Sequence, residues 1–394
     1  MKKKNTRFGT QAVHEGEGQF LYHPSSTPIF QSSTFCFDTM EEAVRVSQGR
    51  QEGFVYTRIG NPTVDAFEKK IAALEKAEDA VAFASGMAAL AAVFLELLAP
   101  GDEMISSSHI YNGSKGFFEH MLKKHGCTVR FFDPHENMPE KISSLVNNKT
   151  RIIFFETPSN PELSIIDMHL ISSLAKKHRL FSVIDNTFAT PYLQNPLLYG
   201  IDCVVHSATK YIGGHGDAIG GVVAGSKDFI TRLRKNMLLF MGGCLSPFNA
   251  WLYLRGIKTL HIRMDAHCHS AGQIAAFLSG HPKVRRVFFP GLKDHPGHAI
   301  AKKQMYAFGG MLSFTLGSRN ACKKFLDNVR LCKIGVSLGD TETLLMNTAI
   351  MFHGNRSDAA CRKAGIDPLL IRISTGLEDP LDIVDDICSA LKSV

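Results

Sequence analysis

The chain has 394 residues, a net charge of +7 and a hydrophobic content of 44%. This length predicts two or three domains, and the composition is that of an ordinary globular protein. Lysine and arginine are spread along the chain, without a basic stripe interleaved with aromatic residues and without an apolar run of membrane-spanning length, which argues against nucleic-acid and membrane partners.

The first residues, MKKKNTR, form a basic cluster that we expect to be a solvated tail. No apolar segment follows these lysines as it would in a secretory signal peptide, so we expect a cytoplasmic protein. The nine cysteines are odd in number, scattered and without a C-x-x-C pair. They therefore argue against a disulfide framework or a structural zinc site.

The stretch 1–60 is polar and glycine-rich, with little periodicity. Asn61 and Pro62 are a favourable cap and first residue for the helix that TVDAFEKKIAALEKA predicts. We predict that 1–60 forms an N-terminal arm, which packs on another surface such as that of a second subunit.

The middle of the chain alternates short, near-continuous apolar runs with amphipathic stretches such as MHLISSLAKKH (168–178). Such runs are typical of strands buried on both faces. The six predicted strands are 79–85, 102–107, 128–133, 150–156, 180–185 and 201–207. This alternation predicts an α/β fold, with a mostly parallel central sheet covered by helices on both faces.

From about residue 257 the sequence becomes helix-rich, with strand-like stretches at 309–316 and 369–375. We therefore predict a central domain over 61–256 and a smaller α/β C-terminal domain over 257–394. Within the latter, His267, Cys268 and His269 could suggest a metal site. Because adjacent helical residues point in different directions, we interpret them as helix surface and predict no metal.

Ligands of open α/β sheets bind outside the carboxyl ends of the strands. Gly86 and Met87 open a predicted helix there, whose free N–H groups could bind an anion, although an ordinary strand–helix turn explains them as well. Tyr111 offers an aromatic face, Asn160 an amide, and Asp185 either a functional carboxylate or a simple cap.

Lys210 lies in VVHSATKYIGGHGDAIGG (204–221) and precedes the five glycines of this stretch. In a P-loop the glycines come before the lysine, and no G-x-G-x-x-G sequence is present, which disfavours a nucleotide-phosphate loop. A desolvated lysine beside two hydroxyl residues, Ser207 and Thr209, can instead form a Schiff base with an aldehyde while the hydroxyls hold a phosphate.

Pyridoxal phosphate (PLP) has both groups, and it needs a carboxylate that keeps its ring nitrogen protonated. Asp185 ends the predicted strand that precedes the one before Lys210, so it can supply that carboxylate, and Tyr111 can stack on the ring. These residues support one another and predict a PLP site.

Seven stretches, spread over nearly the whole chain, resemble motifs of one known enzyme family and occur in the same order as in that family. They are YTRIGNPT (56–63), ASGMAA (84–89), ETPSNP (156–161), IDNTFATPYLQNPL (184–197), HSATKYIGGHGDAIGG (206–221), SLGDTETL (337–344) and LIRISTGLED (370–379). The chain resembles the Cys/Met-metabolism (γ-family) PLP enzymes. This resemblance implies an aspartate-aminotransferase-like fold (fold type I) and makes 61–256 the PLP-binding domain.

The resemblance also implies residue roles. Lys210 would anchor PLP covalently and then move protons, Asp185 would pair with the pyridinium nitrogen, and Tyr111 would stack on the ring; Lys210 and Tyr111 are the predicted catalytic residues. The residues implied in phosphate binding within one subunit are Gly86, Met87, Ser207 and Thr209.

For the substrate, the resemblance implies that Arg372 clamps the α-carboxylate with help from Ser337 and Asn160. Tyr56 and Arg58 of the arm would reach the phosphate in the neighbouring subunit. That arrangement implies an obligate dimer, and in this family usually a homotetramer formed as a dimer of dimers.

The expected substrate is a small sulfur amino acid, and the motifs PIFQSSTFCFD, GHGDAIGG and SLGDTETL are most similar to methionine γ-lyase. That enzyme usually has cysteine at Gly113, a Lys-Asp pair near Leu239 and Phe240, and threonine at Phe352. The stretch 245–264 instead resembles O-succinylhomoserine sulfhydrylases.

We expect a carbon–sulfur lyase of the methionine γ-lyase or cystathionine γ-lyase type, which gives 2-oxobutanoate, ammonia and a thiol. The alternatives are γ-replacement, as in O-acylhomoserine sulfhydrylase or cystathionine γ-synthase, and cystathionine β-lyase. A non-catalytic PLP-fold binding protein would be expected to lose Lys210, Asp185 or Arg372, and all three are present.

Overall fold

The computed structural model describes residues 6–18, 20–363 and 365–394. The predicted solvated tail falls mainly on residues 1–5 and lies outside the described residues. The strands are β1 Asp79–Phe83, β2 Glu103–Ser107, β3 Thr128–Phe132, β4 Thr150–Glu156, β5 Phe181–Asp185, β6 Cys203–Ser207, β7 Gly221–Gly225, β8 Arg286–Phe288, β9 Met311–Thr315, β10 Lys333–Ile334, β11 Leu344–Met346 and β12 Leu370–Ser374.

Helices account for most of the remaining regular structure. The α-helices are α1 Phe8–His14, α2 Met40–Ser47, α3 Pro62–Glu75, α4 Gly86–Leu97, α5 Asn112–Gly116, α6 Met138–Leu145, α7 Met168–His178, α8 Thr190–Leu193, α9 Lys227–Arg232, α10 Leu239–Met241, α11 Pro247–Ile257, α12 Leu260–Ser279, α13 His298–Gln304, α14 Arg319–Asn328, α15 Thr348–Phe352, α16 Asp358–Lys363 and α17 Pro380–Lys392. A 3₁₀-helix covers Pro196–Tyr199, and π-helical turns cover Phe117–Leu122 and Leu233–Leu238.

The larger sheet has seven strands in the order β1-β7-β6-β5-β4-β2-β3. Strands β2 to β6 pair in parallel, and β7 runs antiparallel to both β1 and β6. All six predicted central strands are present, so the prediction of a mostly parallel α/β sheet is confirmed. Strand β7 was not predicted, because its three apolar residues lie between glycines and look like part of a loop.

Successive residues of the central strands pack on opposite sides of the sheet. Phe154 belongs to an apolar cluster with Leu90 of α4, whereas Phe155 belongs to a cluster with Ile171 of α7. Both phenylalanines have no exposed surface. Because helices cover both faces, these strands need apolar residues at every position, which explains the continuous apolar runs in the sequence.

The second sheet has five strands in the order β10-β11-β12-β9-β8. It contains both strand-like stretches predicted near the carboxyl end of the chain, as β9 and β12. Its pairs are antiparallel except for β10 with β11. Helix α12, at the start of the predicted C-terminal domain, packs on β8 and β9 and against α17.

One expectation in α12 is wrong. His267 is fully buried, and its Nδ1 lies 2.7 Å from the carbonyl oxygen of Thr375, so it faces the core and not the surface. The helix carries polar residues on most sides, so the sequence alone did not show which side the second sheet covers.

The N-terminal arm contains two short helices, α1 and α2, that its weak periodicity did not predict. Lys70 of α3 fixes α1 in place: its buried ammonium donates to the carbonyl oxygens of Ala12 and Val13, each at 2.9 Å. The predicted cap of α3 is confirmed, since the Thr63 N–H donates to Asn61 Oδ1 at 2.9 Å. Among the described residues, no helix is long and apolar enough to cross a membrane.

Strand β7 begins where the chain passes very close to the turn between β1 and α4. A Cβ added at Gly221 would lie 2.2 Å from the carbonyl oxygen of Ser85, and both partners are backbone in packed elements. We expect Gly221→Ala to reduce the free energy of unfolding by about 1–3 kcal/mol, because neither segment can move without disturbing the sheet. The shift of the urea unfolding midpoint measures this effect.

Gly272→Ala is the matched control, since a Cβ there meets no atom within 4 Å on helix α12. Alanine in a helix interior should raise stability by up to about 1 kcal/mol. Equal unfolding midpoints for the two variants would contradict the close approach at Gly221.

Candidate active site

A cavity of about 570 Å³ lies at the carboxyl ends of the central strands. Its walls include Gly86 after β1, Tyr111 after β2, Glu156 at the end of β4 and Asp185 at the end of β5. The second sheet closes the cavity from the other side and contributes Arg372 of β12. The cavity is therefore at the edge where parallel sheets bind ligands.

Most of the sequence-predicted site residues meet in this cavity. Those in its wall are Lys210, Tyr111, Asp185, Gly86, Met87, Ser207, Thr209, Arg372 and Asn160. Ser337 reaches the site through a hydrogen bond to Lys210. Tyr56 and Arg58 are not part of the wall.

Lys210 follows β6 and projects its amine between the two sheets. Its Nζ donates to Ser337 Oγ at 3.0 Å. Burial lowers the pKa of this ammonium, and the positive charge of Arg372 lowers it further, while Asp340 opposes the shift. The neutral, nucleophilic amine is therefore more accessible near neutral pH than on a surface lysine.

The N-terminus of α4 and the end of β6 form a cradle for an anion. Ser85 caps α4 by accepting from the Ala88 N–H at 3.0 Å, and the first N–H groups of a helix have no acceptor within the helix. A Cβ on Gly86 would lie 2.8 Å from Ser207 Cβ and 3.0 Å from its Oγ. Glycine at position 86 therefore brings these N–H groups next to the Ser207 hydroxyl.

Thr209 contributes differently, because its hydroxyl is already bonded to the following loop. Its Oγ1 accepts from the Gly220 N–H at 3.1 Å and donates to the Gly220 carbonyl oxygen at 3.2 Å. Thr209 thus closes the glycine-rich loop after Lys210 and brings it back to the cradle. In that loop, Gly214 and Gly216 both have positive φ angles, of 70° and 66°, which favour glycine.

Two buried carboxyl groups end neighbouring strands, since Glu156 of β4 pairs in register with Asp185 of β5. Burial raises the pKa of both, and the charge of Asp185 raises that of Glu156 further. Hydrogen bonds from Thr187 and the charge of His206 oppose the rise at Asp185. Glu156 therefore favours its protonated form more strongly than Asp185 does, and Asp185 is the carboxylate that can face a cationic ring nitrogen.

Glu156 is the main site residue that sequence reasoning missed. Its Oε1 accepts the backbone N–H of Tyr111 at 2.8 Å and so fixes the loop that carries the tyrosine ring. The signal in the sequence was a glutamate directly after the apolar residues IIFF of the stretch TRIIFFE. The ring itself lies against Gly113, where a Cβ would come within 2.3 Å of Tyr111 Cε1.

Arg372 is a buried cation without an acidic partner. It is 3% exposed, and among the described residues no carboxylate lies within salt-bridge distance of its guanidinium. Its Nη1 donates to Asn160 Oδ1 at 3.2 Å, and its Nη2 donates to the carbonyl oxygens of Val336 at 3.0 Å and Ser337 at 2.8 Å. Burial lowers its pKa to about 10, so it is still charged at neutral pH. Its Nε is buried and has no hydrogen-bond partner in the described part of the chain.

Tyr56 and Arg58 of the N-terminal arm lie next to each other, away from the main cavity. The Arg58 guanidinium stacks over the Tyr56 ring at 5.5 Å and donates to the carbonyl oxygen of Leu239. Arg58 lines a second cavity, away from Lys210. Within one chain these residues therefore contribute nothing to the main cavity.

Residues 9–392 match the family model described as Cys/Met metabolism PLP-dependent enzymes. The chain belongs to this family. It is 43% identical over 397 residues to an L-methionine gamma-lyase of Fusobacterium nucleatum subsp. polymorphum, with 100% of both chains covered. It is 40% identical over 398 residues to a cystathionine gamma-lyase of Bacillus subtilis, again with 100% of both covered.

A solved structure from Campylobacter jejuni, provisionally assigned as an O-acetylhomoserine (thiol)-lyase, carries N'-pyridoxyl-lysine-5'-monophosphate. It is 31% identical, covers 98% of this chain and 100% of its own, and has a TM-score of 0.94. The predictions of the family, the fold type I architecture, PLP as the cofactor and a PLP-dependent carbon–sulfur lyase are confirmed.

The residues present fit PLP. The cradle of Gly86 and Ser207 offers helix N–H groups and a hydroxyl to a phosphate, Asp185 places a carboxyl group in the same cavity for a protonated ring nitrogen, and Lys210 is a buried amine with a lowered pKa. The phosphate, the ring nitrogen and the aldehyde of the cofactor therefore each have a chemically matched partner in one cavity of this family member.

We expect Glu156→Ala to weaken PLP binding at least fivefold, because the partly buried Tyr111 N–H loses its acceptor, a loss of about 1–3 kcal/mol. Glu156→Gln keeps a neutral acceptor of the same shape and should hold PLP nearly as well as the unsubstituted enzyme. The PLP dissociation constant, followed by the visible absorbance of resolved enzyme during reconstitution, measures both. Equal PLP affinity in the two variants would show that Glu156 does not position Tyr111.

Proposed function

We propose that this enzyme cleaves the bond between Cγ and sulfur in methionine, giving 2-oxobutanoate, ammonia and methanethiol. The observation that carries the proposal is the buried, unpaired guanidinium of Arg372 in the same cavity as the amine of Lys210. A buried charge without a partner is unfavourable, so the site is built for an anionic group of its ligand.

Arg372 binds the α-carboxylate of the amino-acid substrate in this proposal. Its Nη2 is held by two carbonyl oxygens and its Nη1 by Asn160, so the guanidinium is already oriented before a substrate arrives. A planar guanidinium can pair with a carboxylate through two parallel hydrogen bonds, which fixes the direction of the Cα–H bond. Asn160 and Ser337 act as supports of this clamp.

Lys210 is the proton-transfer residue. Bound PLP supplies an electron sink that acidifies the hydrogen on Cα of the substrate. With its pKa lowered by burial and by Arg372, the Lys210 amine can accept that proton at neutral pH and can deliver it again nearby. Ser337 Oγ, 3.0 Å from Nζ, orients the amine. Tyr111, which is 48% exposed, is available to stack on the cofactor ring.

The remaining wall of the cavity is suited to an apolar thioether. Apolar side chains there include those of Val336, Leu338, Met346, Phe352 and Ile366. Among the positions that depart from the usual methionine γ-lyase pattern, Gly113 and Phe352 line the cavity, whereas Leu239 and Phe240 do not. Of these four positions, Phe352 is therefore the one whose side chain lines the cavity and can contact a substrate.

Cystathionine is the second candidate substrate. His353 and Asp367 also line the cavity and could bind the carboxylate and ammonium of its second amino-acid end. The relative of Bacillus subtilis named cystathionine gamma-lyase supports this alternative.

The active assembly in this proposal is a dimer of dimers, in which Tyr56 and Arg58 of one subunit reach the PLP phosphate of its neighbour. The arm supports this because it exposes large apolar side chains that a partner could cover, among them Leu21 at 79%, Tyr22 at 89% and Met40 at 79%. We retain the arm (1–60), the PLP-binding domain (61–256) and the C-terminal domain (257–394) as proposed units, and the cytoplasm as the proposed location.

The substrate is tested by offering methionine, cystathionine and an O-acylhomoserine with sulfide to the PLP-loaded enzyme. We expect 2-oxobutanoate from methionine without any added thiol, and a lower kcat/KM for cystathionine. Lys210→Ala should lose at least about a thousandfold in kcat for every substrate, because its amine is the base. Product formed only from the acyl ester and sulfide would overturn the lyase assignment in favour of γ-replacement.

The shared site is tested by mixing two variants that are each impaired in a different residue of the site. Arg58→Ala should lower PLP retention, and Lys210→Ala should lack the base, yet hybrids can contain one site with neither substitution. We expect up to about a quarter of the unsubstituted activity after subunit exchange. Arg50→Ala, an exposed arginine of the arm, serves as the control and should retain activity alone. Inactive hybrids, with exchange verified by mass spectrometry, would show that Arg58 does not act across the interface.

A further inference from the structure

The loops that follow β2 and β3 bring three metal-ligating side chains together outside the wall of the catalytic cavity. His109 lies in the first loop, and Asp133 and His135 lie in the second. Their ligand atoms are all within 4.8 Å of one another. The two loops stay together because β2 and β3 pair in parallel and the Ser108 N–H donates to the carbonyl oxygen of Phe132 at 2.8 Å.

The imidazole of His109 is already oriented for coordination. Its Nδ1 lies 3.0 Å from Ser164 Oγ and 3.6 Å from Glu162 Oε2, while its Nε2 lies 3.9 Å from Asp133 Oδ1. A ring proton on Nδ1 can therefore be shared with the hydroxyl and carboxylate, which leaves the lone pair of Nε2 on the side of Asp133. Metal-bound histidines in proteins usually have such an oxygen partner on the second nitrogen.

The second loop supplies the other two ligands from a turn of fixed shape. The backbone N–H of His135 donates to Asp133 Oδ1 at 2.8 Å, so the carboxylate is held over its own loop. The His135 ring is nearly perpendicular to that of His109, at 77° with centroids 5.0 Å apart. Its Nε2 lies 3.3 Å from Ser164 Oγ, a hydrogen bond that an ion bound to Nε2 would replace.

We propose that His109, Asp133 and His135 bind one divalent transition-metal ion of the Zn²⁺ class. Two imidazoles and one carboxylate are ligands that suit Zn²⁺ and related ions, whereas Mg²⁺ prefers oxygen ligands alone. In a tetrahedral site, zinc bonds of about 2.0–2.2 Å place two ligand atoms roughly 3.3–3.6 Å apart, so the side chains need to close by up to about 1.5 Å. The exposed His135 can make that movement, and water would complete the coordination.

This site is separate from the PLP site and does not depend on the proposed lyase reaction. His109 is close in sequence to Tyr111, and Glu162 lines the catalytic cavity, so the ion would sit behind the loop that carries the tyrosine. The sequence predicted no metal, because His109 and Asp133 follow different strands and only the pairing of β2 with β3 brings them together.

Zinc binding is measured by titration calorimetry on the PLP-loaded enzyme without a histidine tag, after removal of metals with a chelator. We expect one tight equivalent of Zn²⁺ per chain and no comparable binding of Mg²⁺. His135→Ala and Asp133→Asn should each weaken that equivalent at least tenfold, because each removes a direct ligand, and even the loss of an outer partner costs about 10–100-fold. His125→Ala, an exposed histidine outside the cluster, should bind as tightly as the unsubstituted enzyme.

Zinc affinity and stoichiometry unchanged in both His135→Ala and Asp133→Asn would overturn the proposal, as would the absence of a tight equivalent. Anomalous X-ray scattering from zinc-soaked crystals gives an independent answer. A peak between the three side chains supports the site, and peaks only at other histidines reject it. Both ligand variants change loop side chains that are not buried, so visible absorbance of bound PLP serves to verify that they are folded.

Discussion

The site depends on keeping charged groups of both signs buried in one cavity without letting them neutralise one another. Arg372 comes from the second sheet and is held by carbonyl and amide oxygens, whereas Asp185 comes from the central sheet and accepts the backbone N–H of Thr187. Rigid strands on two sheets hold these groups apart. The free energy lost by burying each charge alone becomes available when a ligand supplies the opposite charge.

This constraint explains why the site uses so many backbone contacts. The carbonyl oxygens of Val336 and Ser337 hold the Arg372 guanidinium where a carboxylate could have done so. Likewise, the backbone N–H of Thr187 holds the Asp185 carboxylate where a lysine could have done so. Backbone partners are dipoles and not full charges, so they orient a charged side chain and leave most of its field available to the ligand. Glycines also allow close contacts in this site. The missing side chain of Gly86 lets the end of α4 approach Ser207, and that of Gly113 lets the Tyr111 ring lie against the backbone.

Much of this could be predicted from the sequence, because buried parallel strands and their ends have strong local signals. The six apolar runs located six of the seven central strands, and the residues just after these runs located much of the cavity wall. The features that the sequence did not predict have no signal in the residues next to them. Strand β7 is too short and glycine-rich, His267 faces a sheet that comes later in the chain, and Glu156 matters through a contact with Tyr111 of a different loop. Such features are fixed by tertiary packing and not by periodicity.

The position of β7 also has a consequence for how the chain is made. Strand β1 lies at one edge of the described central sheet and pairs there with β7, in a register that joins Phe83 to Gly221. Strands β2 to β6 all come between these two in the chain. During translation β1 therefore cannot pair with β7 until most of the central region has left the ribosome. Until then its backbone N–H and C=O groups lack their partners in the sheet. Contacts of such long sequence separation form slowly, and exposed strand edges can aggregate in the meantime. The amounts of intact enzyme in a cell should thus be sensitive to chaperones that shield nascent strands.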